Sequence, residues 1–210
     1  MSIEEKYKYR CETVSDINEH LPTLYEYASQ CESIAELGVR GVVSSYAFMW
    51  GLMNNNSKIK EFSVFDISYC DVSEITQECF ENGIELTDYI PEDDLTVDIF
   101  NQSYDLTFID SFHCYPHCYE ELCKFSEHTN KYIILHDTYI DRETSECVRL
   151  GYEPQHYSGL VSKYHNKYSA DDFKLGLKFA IEKFTYEHPN WSILETFDNN
   201  NGLTVLTCLN

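Results

Sequence analysis

The 210-residue chain carries 36 acidic against 15 basic residues, a formal net charge of −21, which repels phosphate backbones and anionic membranes and removes both as expected partners. The length suits one domain with a sizeable core. Nine cysteines without paired spacing read as packed thiols of a reducing compartment, and with no apolar leader or bilayer-length run the expectation is a soluble, cytoplasmic protein.

Residues 1–32 are polar, with Ile17, Leu21, Leu24, Tyr25 and Ala28 at helical spacing and Asp16 placed as a cap, so a helical lead-in is predicted, with Pro22 confined to a first turn. The stretch SIAELGVRGVVSS, Ser33 to Ser45, follows. Its apolar run holds one acid, Glu36, breaks at Gly38 and, past Gly41, turns into small residues that open a helix over about 42–53. A strand that turns at glycine into a helix gathers backbone N–H groups and a positive helix end at one point, which suits a nucleotide-like ligand. A second strand is predicted over 62–67 with Asp66 at its tip, where Rossmann-like sites hold ribose hydroxyls. Residues 71–82 read as a helix ended by Gly83, residues 84–90 as a third strand ending near Asp88, and PEDD at 91–94 as a solvated acidic turn.

The densest stretch is YDLTFIDSFHCYPHCYEELC, Tyr104 to Cys123. Leu106–Ile109 reads as a buried strand with Asp110 at its end and His113 just beyond, and Pro116 opens a helix that buries Tyr119, Leu122, Cys123 and Phe125. KYIILHDT is the next strand, with His136 and Asp137 at its end. Open parallel sheets bind ligands beyond the carboxyl ends of their strands, so Glu36, Asp66, Asp88, Asp110, His113, His136 and Asp137 are expected on one rim. Residues 139–169, rich in Tyr and His, are predicted to be an irregular lid or acceptor-binding insertion. A helix opened by Asp171 and Asp172 then runs through Phe184, and WSILETF and GLTVLTC, joined by DNNNG, close the chain as a hairpin. The Asn runs at 54–56 and 199–201 read as compositional bias.

AELGVRGVVSS, FIDSFHCY and ILHDT, in that order, resemble the motifs of class I S-adenosylmethionine-dependent methyltransferases. More narrowly, they are similar to those of small-molecule and sugar O-methyltransferases and of cephalosporin-hydroxylase-like proteins. The resemblance covers Ser33 to Cys208 and implies a Rossmann-like α/β fold: a seven-stranded sheet, mostly parallel with an antiparallel last strand, and helices on both faces. It implies that Glu36, Gly38, Gly41 and Ser44 surround the methionine moiety of S-adenosylmethionine, that Asp66 binds the ribose, that Asp110 lies near the sulfonium and that Asp88 belongs to the same cofactor rim. Two positions depart from the pattern: Val42, where many members have glycine, and Phe112, where some metal-dependent sugar methyltransferases carry an acid.

The expected acceptor is a small-molecule or sugar hydroxyl. Such a hydroxyl is a poor nucleophile at neutral pH, so a divalent ion, Mg²⁺ or Mn²⁺, is expected on Asp110 and Asp137. His113 is the expected general base, with His136 able to serve as a further ligand or as the base. A homo-oligomer is compatible with this reading. Three competing readings stay open. One is a nicotinamide-dependent oxidoreductase, although the turn lacks Gly-x-Gly-x-x-Gly. Another is a zinc site drawn from His113, Cys114, His117, Cys118 and Cys123. The third is a cofactor-binding fold without turnover, in a structural or regulatory role.

Overall fold

The computed structural model describes residues 1–209. Seven strands, β1 Ser33–Leu37, β2 Glu61–Phe65, β3 Glu85–Tyr89, β4 Tyr104–Ile109, β5 Thr129–His136, β6 Trp191–Phe197 and β7 Leu203–Cys208, form one sheet in the order β3-β2-β1-β4-β5-β7-β6. Strands β1 to β5 pair in parallel, and β7 runs antiparallel to both β5 and β6. This is the mostly parallel sheet that the sequence predicts, closed by the DNNNG hairpin.

The central strands read as unbroken apolar runs because both faces of the sheet are covered. Side chains alternate between the faces. Ile34, Phe62, Val64 and Phe108 pack beneath helices α1 Ile3–Glu12, α2 Leu21–Ala28, α3 Ser45–Asn54 and α4 Ser73–Asn82. Ala35, Leu37, Phe65 and Ile109 pack on the other face, under α5 Tyr115–Ser126 and, further along the chain, α8 Leu177–Glu187. Each fully buried Phe or Leu on these faces contributes roughly 1.5–3 kcal/mol of transfer free energy.

Three local expectations need correction. The lead-in is two helices with a 3₁₀ turn at Asn18–His20 between them, and Pro22 does fall in the first turn of α2. Asp16 caps neither; its carboxylate instead pairs with Arg40 at 2.9 Å. Residues 139–169 are not irregular, since they hold α6 Glu146–Arg149 and α7 Pro154–Lys163. Tyr164 and Tyr168 pack against Phe173, with ring centroids 5.3 and 6.2 Å apart, so this segment is a built wall of the second core.

The helix predicted from Asp171 is interrupted. A 3₁₀ turn, Asp172–Lys174, is followed by an extended break before α8 begins beyond Gly176. Gly176 lies directly on the backbone carbonyls of Asp141 and Arg142, where a Cβ would overlap both. Packing therefore overrides helix propensity here. Gly176→Ala is expected to lower stability by about 1–3 kcal/mol, the usual cost of overpacking. By contrast Gly159, inside α7 with open space around its Cβ position, should gain about 0.5–1 kcal/mol on substitution by Ala. Thermal unfolding of the two variants would show opposite shifts; shifts of the same sign would contradict this account of Gly176.

Candidate active site

The β1–α3 turn is shaped by a close chain approach. Gly38 has φ +88°, and a Cβ there would overlap the Asp110 carbonyl at the end of β4, so no other residue fits without moving two strand ends. The turn continues through Arg40 and Val42, at φ +31° and +54°. A β-branched residue in this left-handed region stores strain of order 1–3 kcal/mol, which is the physical consequence of the valine at this position. Asp66 holds the turn from the side, its carboxylate accepting the Arg40 N–H at 3.1 Å and the Ser68 N–H at 2.8 Å.

A cavity of about 570 Å³ opens beyond these strand ends and is lined by Gly38, Gly41, Ser44, Asp66, Asp110 and His113, among others. Asp16 and Ile17 of the lead-in and Lys163 of α7 reach it from outside the sheet. The volume lies within the range of small-molecule sites, about 300–1,000 Å³.

Four expected site residues lie outside the cavity lining: Glu36, Asp88, His136 and Asp137, the last 3.0 Å from His113 Nδ1. Glu36 is fully buried on the α3 face, does not line the cavity, and accepts hydrogen bonds from the Ser44 and Ser45 hydroxyls, the latter at 2.6 Å. It anchors the start of α3 from beneath. Asp88 pairs in register with Val64, so strand alternation turns it toward α4; it borders a separate groove with Phe80 and accepts the Ile90 N–H at 2.9 Å. His136 is 1% exposed and also outside the cavity lining. Its Nδ1 faces Asp110 at 3.3 Å and its Nε2 donates to the carbonyls of Asp16 and Asn200 at 3.1 and 3.2 Å. With both nitrogens engaged, His136 clamps the lead-in and the hairpin turn onto β4 and has no lone pair for catalysis.

His113 stands in a cage of carboxylates. Asp110 lies 3.3 Å from its Nε2, and Asp137, Asp141 and Glu146 lie 3.0, 3.2 and 3.8 Å from its Nδ1. Burial opposes its protonation, but Asp110, Asp141 and Asp137 outweigh burial and hold its pKa well above the usual imidazole value. In this arrangement the carboxylates favour the protonated ring, so the general-base role expected of His113 requires something that offsets their charge. Burial likewise pushes Asp110 up, and His113 and His136 outweigh it, so this carboxylate stays ionised far below the usual range. Asp137 is held with φ +58°, and its buried Oδ1 has no hydrogen-bond partner. Asp110, His113 and Asp137 each bring a ligand atom within 4.8 Å of the others, so these residues fit a divalent ion.

Several site residues escaped the sequence reading. Asp141 is fully buried and held by a bidentate pair of bonds from Arg149 at 2.9 and 2.7 Å. Asp94, expected in a solvated turn, is 8% exposed and lines the cavity with His117. The rim rule applied to the end of β3 selects Asp88, whereas Asp94 lies in the loop beyond it, and nothing local marks Asp141. Burial pushes the Asp94 carboxyl up to about 8 and that of Glu121, behind it, up to about 7. The cysteines expected as a competing zinc set are packed instead: Cys114 and Cys118 are buried in the second core, and among the described residues no candidate ion-binding group includes a cysteine.

No family model matches the chain, and no curated protein matches it by sequence. Solved structures do. A methyltransferase from Podospora anserina bound to S-adenosylhomocysteine aligns over 98% of this chain and 87% of its own, at 13% identity and TM-score 0.54. An O-methyltransferase of tomaymycin synthesis from Streptomyces achromogenes, in complex with S-adenosylmethionine, aligns over 94% and 82%, at 13% identity and TM-score 0.57. This chain has the class I methyltransferase fold. An N-methyltransferase from Bradyrhizobium japonicum, in complex with S-adenosylhomocysteine, shares the same methyltransferase fold over 98% of this chain and 96% of its own, at 12% identity and TM-score 0.55. Among the described residues no helix is long and apolar enough to cross a membrane.

Within this methyltransferase fold the buried acid of β1 carries a pH signature. Burial pushes Glu36 from 4.5 up to about 8, with the two serine hydroxyls opposing the rise and Asp110 and Asp66 adding to it. The folded state therefore binds a proton that the unfolded state releases between those two values, and stability falls as pH rises through that window. Glu36→Gln keeps partners for both hydroxyls and removes the titration. Its melting temperature should fall less steeply from pH 5 to pH 8 than that of the unmodified protein, and identical slopes would show that Glu36 does not take up this proton.

Proposed function

We propose that this protein transfers a methyl group from S-adenosylmethionine to a hydroxyl of a small molecule or sugar, with a divalent ion at Asp110 and Asp137. The observation that carries the reading is the convergence of Gly38, Gly41, Ser44, Asp66 and Asp110 on one cavity beyond the sheet's carboxyl ends. The S-adenosylmethionine and S-adenosylhomocysteine bound in solved structures of the same fold support it. The net charge of −21 speaks for an uncharged or cationic acceptor rather than a nucleic acid.

In this reading S-adenosylmethionine supplies an electrophilic methyl carbon on a sulfonium. The β1–α3 turn, from Gly38 to Ser44, would hold the methionine end. Asp66 has lone pairs left beyond its two backbone bonds and would accept from the ribose hydroxyls. Asp110, whose carboxyl His113 and His136 hold well below the usual range, would lie on the sulfonium side of the cavity.

A divalent ion on Asp110 and Asp137 would polarise the acceptor hydroxyl and, by neutralising two of the carboxylates around His113, bring that ring's pKa down toward neutrality. His113 would take the hydroxyl proton on Nε2, with Nδ1–H kept on Asp141, which Arg149 orients. Glu146 and Lys163, supplied by α6 and α7, line the same cavity and would border the acceptor.

Calorimetric titration with S-adenosylhomocysteine is expected to show binding that weakens by about 1–3 kcal/mol in Asp66→Ala, the worth of a hydrogen bond to a charged group. Unchanged affinity would take Asp66 out of the site. Methyl transfer, followed with labelled cofactor over a panel of small hydroxyl compounds and nucleotide sugars, should stop in chelator and return with Mg²⁺ or Mn²⁺. In His113→Gln, kcat should fall about 10²–10⁴-fold. Full activity in chelator would remove the metal from this reading, and near-normal turnover in His113→Gln would remove the base.

A further inference from the structure

We propose that Asp94, His117 and Glu121 form a second divalent-cation site, set in the cavity wall, for a first-row transition ion such as Zn²⁺ or Mn²⁺. It shares no residue with the His113 cluster, and it stands whether or not the protein transfers methyl groups. One ligand atom from each of the three side chains lies within 4.8 Å of the others. His117 Nε2 is 3.3 Å from Glu121 Oε1 and 3.7 Å from Asp94 Oδ1. Ligands held about 2.0–2.2 Å from a tetrahedral ion are themselves about 3.3–3.6 Å apart, so these spacings suit a common centre.

Two orphaned atoms point the same way. Asp94 Oδ1 and Glu121 Oε2 are buried without hydrogen-bond partners, on residues that are 8% and 0% exposed. Leaving such oxygens unsatisfied is costly, and one cation between them satisfies both. The supporting shell is also in place. Tyr164 Oη lies 2.5 Å from His117 Nδ1, and the Ser111 hydroxyl donates to Glu121 Oε1. In the tautomer with Nδ1–H donating to the tyrosine oxygen, the Nε2 lone pair faces the two carboxylates, as a metal-bound imidazole requires; in the other, the tyrosine donates to Nδ1 and Nε2–H faces them.

One imidazole with two carboxylates favours Mn²⁺, Fe²⁺, Co²⁺ or Zn²⁺ over Mg²⁺ and Ca²⁺, which take all-oxygen shells. Asp94 comes from the loop after β3, and His117 and Glu121 from successive turns of α5. An ion here ties that loop to the helix. Asp94 and His117 line the cavity while Glu121 does not, so a coordination position would face whatever fills the cavity. The arrangement that competes with an ion is a proton shared between the Asp94 and Glu121 carboxyls.

Co²⁺ is the probe, added to chelator-treated full-length protein. Visible ligand-field bands are expected, together with a hyperfine-shifted exchangeable imidazole proton in the proton NMR spectrum. The shifted imidazole proton should persist in His113→Gln and vanish when His117→Gln is added to that variant, whatever ion the His113 cluster also holds. Tyr164→Phe should weaken binding about 10–100-fold, the usual effect of losing a supporting hydrogen bond to a ligand. Anomalous scattering at the cobalt edge from crystals of the unmodified protein locates the ion without relying on any variant. Cobalt density between Asp94, His117 and Glu121 would support the site. Density only at the His113 cluster, no density at all, or a shifted imidazole proton that survives His117→Gln in the His113→Gln background would overturn it and leave the shared proton.

Discussion

The structure depends on a carboxyl group buried inside the sheet. Glu36 occupies a position on β1 where the alternation of side chains demands an apolar residue, and it is tolerated because the Ser44 and Ser45 hydroxyls satisfy both of its oxygens. Those two serines begin α3, so the pair of bonds fixes where the helix starts relative to the strand. Once that distance is fixed, the residues between Leu37 and Ser44 have little choice. The chain must leave β1 at a left-handed Gly38 pressed on the Asp110 carbonyl, and it must accept further left-handed residues at Arg40 and Val42. The cavity exists because this turn is held off the strand ends by Asp66 below it and by the start of α3 behind it.

A second constraint is the density of negative charge on the rim. Four carboxylates surround His113, and among the described residues Arg149 alone supplies a fixed positive charge to that group. In a low-dielectric wall such a cluster can ionise only by gathering cations. The two imidazoles do so as far as they can, His136 by bridging Asp110 to the lead-in and hairpin, and His113 by standing in the middle. A ring protonated by its surroundings is a poor base, so the chemistry of His113 depends on what else neutralises Asp110 and Asp137. In the proposed reading, base strength and metal occupancy would be two aspects of one charge balance.

Much of the fold was legible in the chain. Apolar runs of strand length, each followed by an acid, a glycine or a capping residue, located the seven strands and the main helices, because strands buried on both faces and helices ended at glycine have strong local signatures. The left-handed Gly83, the first-turn Pro22 and the closing hairpin follow from single residues whose backbone preferences leave few alternatives. The wall built from residues 139–169 was less legible. Its tyrosines have no partner in sequence and become core residues only when Phe173 arrives from the far side. The Asn199–Asn201 run reads as bias in composition, yet Asn200 and Asn201 take left-handed conformations and Asn200 bonds the Ser15 carbonyl and the Glu19 N–H.

The sequence by itself determined the order of elements, the parallel sheet and the glycine turn, since these rest on local periodicity and on the conformations single residues permit. It also placed Asp66 and Asp110 at strand ends, because chain position along a strand fixes which end a residue occupies. Only the tertiary structure decided which rim acids face the cavity. That choice depends on register: one step along β3 turns Asp88 toward α4, and one face of β1 buries Glu36 against α3. It alone brought Asp141 and Glu146 to His113, and Asp94 to His117 and Glu121. Those encounters join residues far apart in the chain, and a carboxylate's pKa and partners are set by what surrounds it in space rather than by its neighbours in sequence.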